Sequence, residues 1–182
     1  MKKTEGLILA VVLSFIMIAC GNEPAGKDGV IYKSGIAYND SIVNKQMTFL
    51  KRYIAVLNRE KLSEQTLQDL KSLSSEAAHY AKAIGNMPAY KGDSLFRDAG
   101  VEVFSFYSDF LAGELSTIIR LRMLTGDSVV HRYTDSINVL MNRNTGKESL
   151  LDEKFQQHQK AFAQKNGFRL NANTMENMVN KD

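Results

Sequence analysis

The stretch from Ser94 to Leu124 reads SLFRDAGVEVFSFYSDFLAGELSTIIRLRML, and it is the most hydrophobic part of the chain after residue 20. Its apolar residues recur at steps of three and four, which is the spacing of one face of an α-helix. The apolar arc is wider than a single stripe, so we expect this helix to contact two or more neighbours. The segment therefore predicts one long helix packed against several others.

Three more segments show the same helical periodicity. Two precede this helix, at about residues 33–59 and 63–84, and the third runs from Asp127 to about Lys165. The last segment keeps nearly one register through Gly146, because a glycine inside a helix costs only about 1 kcal/mol. We therefore expect one long helix there, with or without a bend at Gly146.

The residues between these segments are typical of helix ends. Ser63 and Asp93 can cap the second and third helices, since short polar side chains accept hydrogen bonds from the free N–H groups at a helix start. Pro88 cannot continue the second helix. Gly126 and Asn166-Gly167 can end the third and fourth helices in the left-handed conformation. The four helices are therefore joined by short links.

No segment after residue 20 shows the sustained apolar alternation of a strand. Helices joined by short links are antiparallel neighbours, so the sequence predicts an all-α fold, an up-down-up-down four-helix bundle. The predicted core-facing residues of the first helix are Ile36, Asp40, Val43, Met47, Leu50, Ile54 and Leu57. Those of the fourth helix are Val130, Tyr133, Ile137, Leu140, Asn144, Leu151, Phe155, His158 and Phe162.

The first 20 residues have a different character. Lys2 and Lys3 precede about 14 apolar residues, which is the layout of a secretory signal and is shorter than the ~20 residues of a membrane-spanning helix. The apolar run ends in Met17-Ile18-Ala19-Cys20, which resembles the bacterial lipoprotein cleavage box. The resemblance implies that Cys20 is diacylated, becomes the new N-terminus and is acylated again.

These features divide the chain into four predicted parts: a lipoprotein signal peptide at 1–19, a flexible tether at 20–33, the four-helix bundle at 34–166 and a polar C-terminal tail at 167–182. The whole chain resembles the small lipoproteins of Bacteroidota, and this resemblance supplies no activity. It implies a lipid anchor in the outer membrane, facing the periplasm or the cell exterior. The implied partners are the lipid bilayer, through acylated Cys20, and an envelope protein.

Composition excludes several classes of function. The formal net charge is only +3, and basic and acidic residues are interleaved, so we expect no nucleic-acid binding. The single cysteine lies at the signal boundary, which leaves no disulfide framework and no free thiol for catalysis. The sequence also lacks the Gly-x-Ser-x-Gly, His-Glu-x-x-His and phosphate-loop motifs. We therefore expect a protein that is not an enzyme.

Two sets of polar residues invite a binding hypothesis. Glu76 and His79 have the Glu-x-x-His spacing of dimetal bundles, but no second such motif accompanies them, so we expect surface ion pairing and no metal site. Asp40, Asn144 and His158 occupy positions where a bundle prefers apolar residues. They either fix the helix register or, with Met47, line a small pocket between the helices.

Two hypotheses for function follow from the sequence. The first is a membrane-anchored, non-enzymatic interaction or accessory module of the envelope, with no cofactor. The alternative is a helical bundle that binds a small ligand, haem or a metal through Asp40, Met47, Asn144 or His158. An aromatic group on the third helix is expected either in the core or partly exposed to a partner, and it comprises Phe104, Phe106, Tyr107 and Phe110.

Overall fold

A computed structural model describes residues 32–124 and 127–170, without the side chains of residues 127–132. The predicted signal peptide, the acylation of Cys20, most of the tether, the stop at Gly126 and the tail after Leu170 lie outside these residues. Within them, the helices are α1 (Gly35–Leu57), α2 (Glu64–Gly85), α3 (Leu95–Phe110), a π-helical segment (Leu111–Leu115), α4 (Ser116–Met123) and α5 (Asp127–Lys165).

The helices form the predicted bundle. α3, the π segment and α4 follow one another without a break, so they make one rod that corresponds to the predicted third helix. α1 contacts α2 and α5, and α3 also contacts α2 and α5, which closes a ring of four antiparallel neighbours. The described residues contain no strand, only an isolated bridge between Tyr90 and Asp93 in the link before α3. The predicted all-α four-helix bundle is confirmed.

Capping side chains lie at the starts of α1, α2 and α3, and the sequence predicted those of α2 and α3. Ser34 Oγ accepts a hydrogen bond from the Ala37 N–H at 3.1 Å, which places the start of α1. Ser63 precedes α2, and its N–H donates to Thr66 Oγ1 at 3.2 Å. Asp93 Oδ1 accepts from the Leu95 N–H at 3.1 Å and so satisfies a free donor at the start of α3.

A Schellman motif ends α5 at the predicted glycine. Gly167 has a φ of +71°, its N–H donates to the Gln164 carbonyl, and the Phe168 N–H donates to the Ala163 carbonyl. The Phe168 ring then packs against Phe162, with 6.0 Å between the ring centroids. Phe168 is buried, so the packed body extends past the predicted boundary at residue 166. The reason is that the motif turns the chain back onto the core.

The predicted buried face of α1 is rotated by about one residue from the observed one. Val43 and Leu50 are buried as predicted, whereas the other predicted residues are only half-buried, namely Ile36, Asp40, Met47, Ile54 and Leu57. Moving each predicted position back by one residue, about 100° around the helix, gives residues that are all buried. These residues are Gly35, Asn39, Ile42, Gln46, Phe49, Tyr53 and Val56. The prediction followed aliphatic side chains, whereas aromatic rings and two amides occupy the centre of this face.

The buried face of α5 is also more polar than predicted. Ile137, Asn144, Phe155 and Phe162 are buried as expected, while Leu151 and His158 are half-buried. The remaining buried positions carry polar or small side chains, and these are Glu148, Asp152, Gln159 and Ala163. Two carboxylates therefore lie in the interior of the bundle, at positions that the prediction did not include in the buried face.

The π segment interrupts what the sequence predicts as one regular helix. Ser116 Oγ donates a hydrogen bond to the Leu111 carbonyl at 2.6 Å, which satisfies an acceptor within the wider turn. Leu111 and Leu115 remain buried, and Glu114 lies between them towards α5. Such wide turns are rare in proteins overall, and many of those that occur lie at functional sites.

We expect Gly146→Ala to raise the free energy of unfolding by about 0.5–1 kcal/mol, because alanine restricts the unfolded chain and favours the helix. Gly146 lies inside α5, and a Cβ there would meet nothing within 4 Å. The matched variant is Gly167→Ala, in which the alanine backbone must adopt a φ of +71°. The free energy of unfolding of that variant should fall by about 1–2 kcal/mol. Urea unfolding measures both, and a destabilised Gly146→Ala protein would contradict a continuous α5.

Candidate functional site

Two buried carboxylates on α5 form the centre of the site. Glu148 is 6% exposed and Asp152 is 7% exposed. They lie four residues apart, so both side chains project from the same face of the helix. Buried carboxylates are rare unless they are paired, hydrogen-bonded or bound to a metal. This pair therefore needs partners from the helices packed against α5.

Hydrogen bonds reach both carboxylates. The buried Tyr107 hydroxyl of α3 donates to Glu148 Oε1 at 2.5 Å. Gln156 Nε2, one turn further along α5, donates to Asp152 Oδ2 at 2.7 Å. The first bond joins residues 41 positions apart in the sequence and ties α3 to α5.

α1 contributes two more polar side chains. Gln46 is 3% exposed, and its Oε1 is buried with no hydrogen-bond partner. The Tyr53 hydroxyl is likewise buried without a partner, and the Tyr53 ring packs edge-on against Tyr107 with 5.5 Å between centroids. A buried polar atom left unsatisfied costs about 1–3 kcal/mol. We refer to Gln46, Tyr53, Tyr107, Glu148 and Asp152 as the carboxylate cluster.

A small cavity lies within the carboxylate cluster. Its volume is about 10 Å³, close to the space that one water molecule needs. No lysine or arginine is among the residues that line it, which are Gln46, Leu50, Val103, Phe106, Tyr107, Glu148, Leu151 and Asp152. The nearby cations on α5 contact other groups, since Lys147 lies over the Phe106 ring and Lys154 pairs with Glu102.

Burial dominates the electrostatics of the cluster. Loss of solvation raises the pKa of Glu148, the charge of Asp152 raises it further, and the Tyr107 hydrogen bond acts in the opposite direction. Burial also raises the pKa of Tyr107 well above its usual value, and the charge of Glu148 adds to that shift. Burial and the charge of Glu148 also raise the pKa of Tyr53 well above its usual value. Both tyrosines therefore stay protonated, and Tyr107 serves as the donor to Glu148.

A larger groove lies beside the π segment. Its volume is about 130 Å³, and its lining residues are Phe106, Asp109, Phe110, Gly113, Glu114, Asn144 and Lys147. Glu114 accepts hydrogen bonds from Asn144 and from Arg143, so the π segment is tied to α5 at this point. The rings of Phe106 and Phe110 stack with 5.5 Å between centroids. Phe106 lines both the groove and the cavity, which makes it the wall between them.

The four residues proposed from the sequence as a pocket do not line one common space. Asn144 lines the groove, whereas Asp40, Met47 and His158 line neither the groove nor the cavity. Asn144 and His158 are 14 residues apart on α5, or about 21 Å at 1.5 Å per residue.

Sequence neighbours of two of these residues make the buried contact instead. Gln159 Nε2, next to His158 in the chain, donates to Asn39 Oδ1 of α1 at 2.9 Å, and both amides are buried. Asn39 Nδ2 also donates to Asp40 Oδ1 at 3.0 Å, at the half-exposed edge of α1. The expected polar contact between α1 and α5 thus exists, one residue away from the predicted positions.

The other sequence-based candidates lie as follows. Glu76 forms an ion pair with Arg52 and His79 is exposed, so surface ion pairing is confirmed for Glu76. The four aromatic side chains of α3 are all buried, which settles their place as core. Within residues 32–124 and 127–170, no group of three or more His, Cys, Asp or Glu could hold a metal ion.

Sequence reasoning missed the carboxylate cluster itself. The signal was present, because the predicted seam of α5 lacks a residue between Asn144 and Leu151, and Glu148 occupies that turn. Among the residues that the structure describes, no helix is long and apolar enough to cross a membrane. No protein-family model, no curated protein and no solved structure matches this chain.

We expect Tyr107→Phe to lower the free energy of unfolding by about 1–3 kcal/mol, because Glu148 would stay buried without its donor. Tyr53→Phe is the matched control, since it removes a hydroxyl from the same cluster that has no partner. That variant should stay within about 0.5 kcal/mol of the wild type or gain stability. Chemical unfolding of both proteins makes the comparison, and equal losses would contradict the role assigned to the Tyr107 bond.

We expect the free energy of unfolding of Glu148→Gln to rise relative to that of the wild type as the pH increases. The folded pKa of Glu148 is raised above the reference value of 4.5, so ionisation of this group destabilises the folded state. The wild type should therefore lose stability relative to the variant from about pH 4.5 upward, until Glu148 is fully ionised. The difference should be constant below that window.

Urea unfolding at a series of pH values, with EDTA present to remove divalent cations, measures this difference. The control is Glu153→Gln, which changes an exposed carboxylate on the same helix. Its stability profile should run parallel to that of the wild type. A parallel profile for Glu148→Gln would show that burial of Glu148 has no energetic consequence.

Proposed function

We propose that this chain is a lipid-anchored lipoprotein of a bacterial envelope, and that its helical bundle is a non-enzymatic interaction or accessory module. The observation that carries the proposal is the order Lys2-Lys3, an apolar run and Met17-Ile18-Ala19-Cys20. Three acyl chains on Cys20 would exceed the two signals that stable membrane attachment needs.

The distance from Cys20 to the packed domain supports this arrangement. The first described residue is Tyr32, and its ring lies 4.8 Å from that of Tyr38. Tyr32 lies twelve positions after Cys20, and a fully extended chain spans at most about 3.3–3.6 Å per residue. The start of the bundle would therefore stay within roughly 40 Å of the lipid surface.

The groove lies away from the end of the bundle that the anchor would hold. The Tyr38 ring next to Tyr32 also contacts Phe162, so this end of the bundle is the C-terminal end of α5. Asn144, in the wall of the groove, precedes Phe162 by 18 residues, or about 27 Å along the helix. A partner could reach the groove without competing with the membrane.

The size of the groove favours an interaction module over a cofactor protein. Its 130 Å³ is well below the ~300–1,000 Å³ of typical small-molecule sites, so haem would not fit without rearrangement. A group as small as one side chain of a partner protein matches it better. The buried cavity of about 10 Å³ is too small for an organic substrate.

We expect Cys20→Ser to release the protein from the membrane fraction while its helical content and unfolding temperature stay unchanged. Acylation requires the thiol of Cys20, and this residue lies outside the residues that form the described bundle. Met17→Leu is the control, because it keeps the cysteine and moves the box towards its commonest form. Fractionation, detergent partitioning and intact mass measure the outcome. A Cys20→Ser protein that still partitions with lipid, or a wild type without acyl mass, would contradict the proposal.

A further inference from the structure

Three basic residues lie on the end of the bundle that the anchor would hold. Each directly follows an aromatic residue of one ring cluster, in the pairs Tyr32-Lys33, Tyr90-Lys91 and Phe168-Arg169. The Tyr38 ring lies 4.8 Å from that of Tyr32 and 5.3 Å from that of Tyr90, and Phe162 lies 5.3 Å from Tyr38 and 6.0 Å from Phe168. All three basic residues are exposed. We refer to Lys33, Lys91 and Arg169 as the basic end.

The carboxylates near the basic end do not neutralise it. Asp93 pairs with Lys165 at 2.9 Å. Asp98 pairs with its neighbour Arg97 at 2.8 Å. Asp40 lies five residues after the start of α1, or about 7.5 Å further along the bundle. Among the residues that the structure describes, no carboxylate forms an ion pair with any of the three cations, so the basic end presents positive charge to its surroundings.

The turn that carries Lys91 is strained. Tyr90 and Asp93 exchange two backbone hydrogen bonds, of 3.0 and 2.9 Å, across Lys91 and Gly92. Both central residues have positive φ, 49° and 80°, as in a type I′ turn, which favours asparagine followed by glycine. A lysine adopts this conformation at a cost, and its Nζ lies 5.6 Å from the centroid of the Tyr90 ring. Such strain is found where a side chain has a role beyond folding.

Exposed apolar groups accompany the basic end. Leu95, the first residue of α3, is 59% exposed, although the next residue, Phe96, is buried against Phe162. Tyr32 is half-buried, and tyrosine is enriched where proteins meet the headgroups of a bilayer. Cations beside exposed leucine and tyrosine are typical of protein surfaces that lie on anionic lipid.

We propose that the basic end binds the headgroups of anionic phospholipids, so that the bundle stands on the membrane. The inference rests on the proposed lipid anchor, because Tyr32 lies only twelve positions after Cys20 and the anchor would keep headgroups within reach. Each cation near an anionic lipid surface strengthens the contact about fivefold. The groove beside the π segment would then face away from the lipid.

The test uses the acylated protein, reconstituted in vesicles with or without phosphatidylglycerol. Ala89→Cys places a donor dye in the exposed link before α3, at the basic end, and Lys61→Cys places one in the exposed link between α1 and α2, at the other end. An acceptor dye marks the lipid headgroups. Energy transfer from position 89 should be higher in anionic than in neutral vesicles and should fall in ~1 M salt, where the Debye length is about 3 Å. Transfer from position 61 should show no such increase.

A triple variant removes the three charges and preserves the fold, with the changes Lys33→Gln, Lys91→Asn and Arg169→Gln. Asparagine suits the left-handed conformation at position 91, so this variant should unfold at a temperature at least as high as that of the wild type. Its contact with anionic vesicles should weaken about fivefold per charge, or roughly a hundredfold in all. The matched control removes three exposed cations elsewhere and should keep wild-type transfer, with the changes Lys51→Gln, Lys71→Gln and Arg120→Gln.

Three outcomes would overturn the inference. Equal energy transfer from position 89 in neutral and anionic vesicles would show that the acylated bundle hangs freely from its tether. Equal losses in the triple variant and its control would assign the contact to net charge and not to the basic end. An intact mass without acyl groups would contradict the lipid anchor and this inference together, whereas an acylated protein that fails the first two comparisons contradicts the inference alone.

Discussion

The hydrogen bond from Tyr107 to Glu148 is the interaction on which the centre of this bundle depends. It places a carboxylate beside the Tyr107 ring, which packs in tilted and edge-on contacts with Phe49 and Tyr53, and an isolated charge would be strongly unfavourable there. The buried carboxylate is tolerated because the Tyr107 hydroxyl remains a hydrogen-bond donor. Burial keeps that hydroxyl protonated by raising its pKa, and burial raises the pKa of Glu148 as well. It also ties α3 to α5 beside the small cavity, which α1 completes with Gln46 and Leu50.

The π segment shapes the second functional feature, the groove. An extra residue in one helical turn brings Glu114 to Asn144 and Arg143, and it leaves Gly113 open to the groove. Phe106 then separates an accessible surface from the buried carboxylates. The groove and the carboxylate cluster are thus neighbours. Both take residues from α3 and α5, while the π segment adds Gly113 and Glu114 to the groove and α1 adds Gln46 and Tyr53 to the cluster.

Helix ends and fold class could be read from the sequence, because they depend on local chemistry. Ser63, Asp93 and Gly167 act where short polar residues and glycine are expected to act. The buried faces of α1 and α5 could be predicted only in part, because a pattern of apolar residues does not reveal polar side chains that find partners across the bundle. Tyr107 and Glu148 are far apart in the chain, and no periodic pattern in the sequence predicts their contact. The lipid anchor at Cys20 stays a prediction, since the described residues begin at Tyr32.

The buried amide pair of Asn39 and Gln159 has a consequence for how α5 can be aligned in the bundle. Together with the Tyr107–Glu148 bond it holds α5 at two points that are 11 residues, or about 16 Å, apart. Sliding α5 by one helical turn of about 5.4 Å would break the Asn39–Gln159 bond, because Phe155 and Ala163 occupy the positions four residues on either side of Gln159. The carboxylates alone would not prevent such a slide, since Asp152 lies one turn after Glu148 and would face Tyr107 instead, so the amide pair is what sets the alignment of α5.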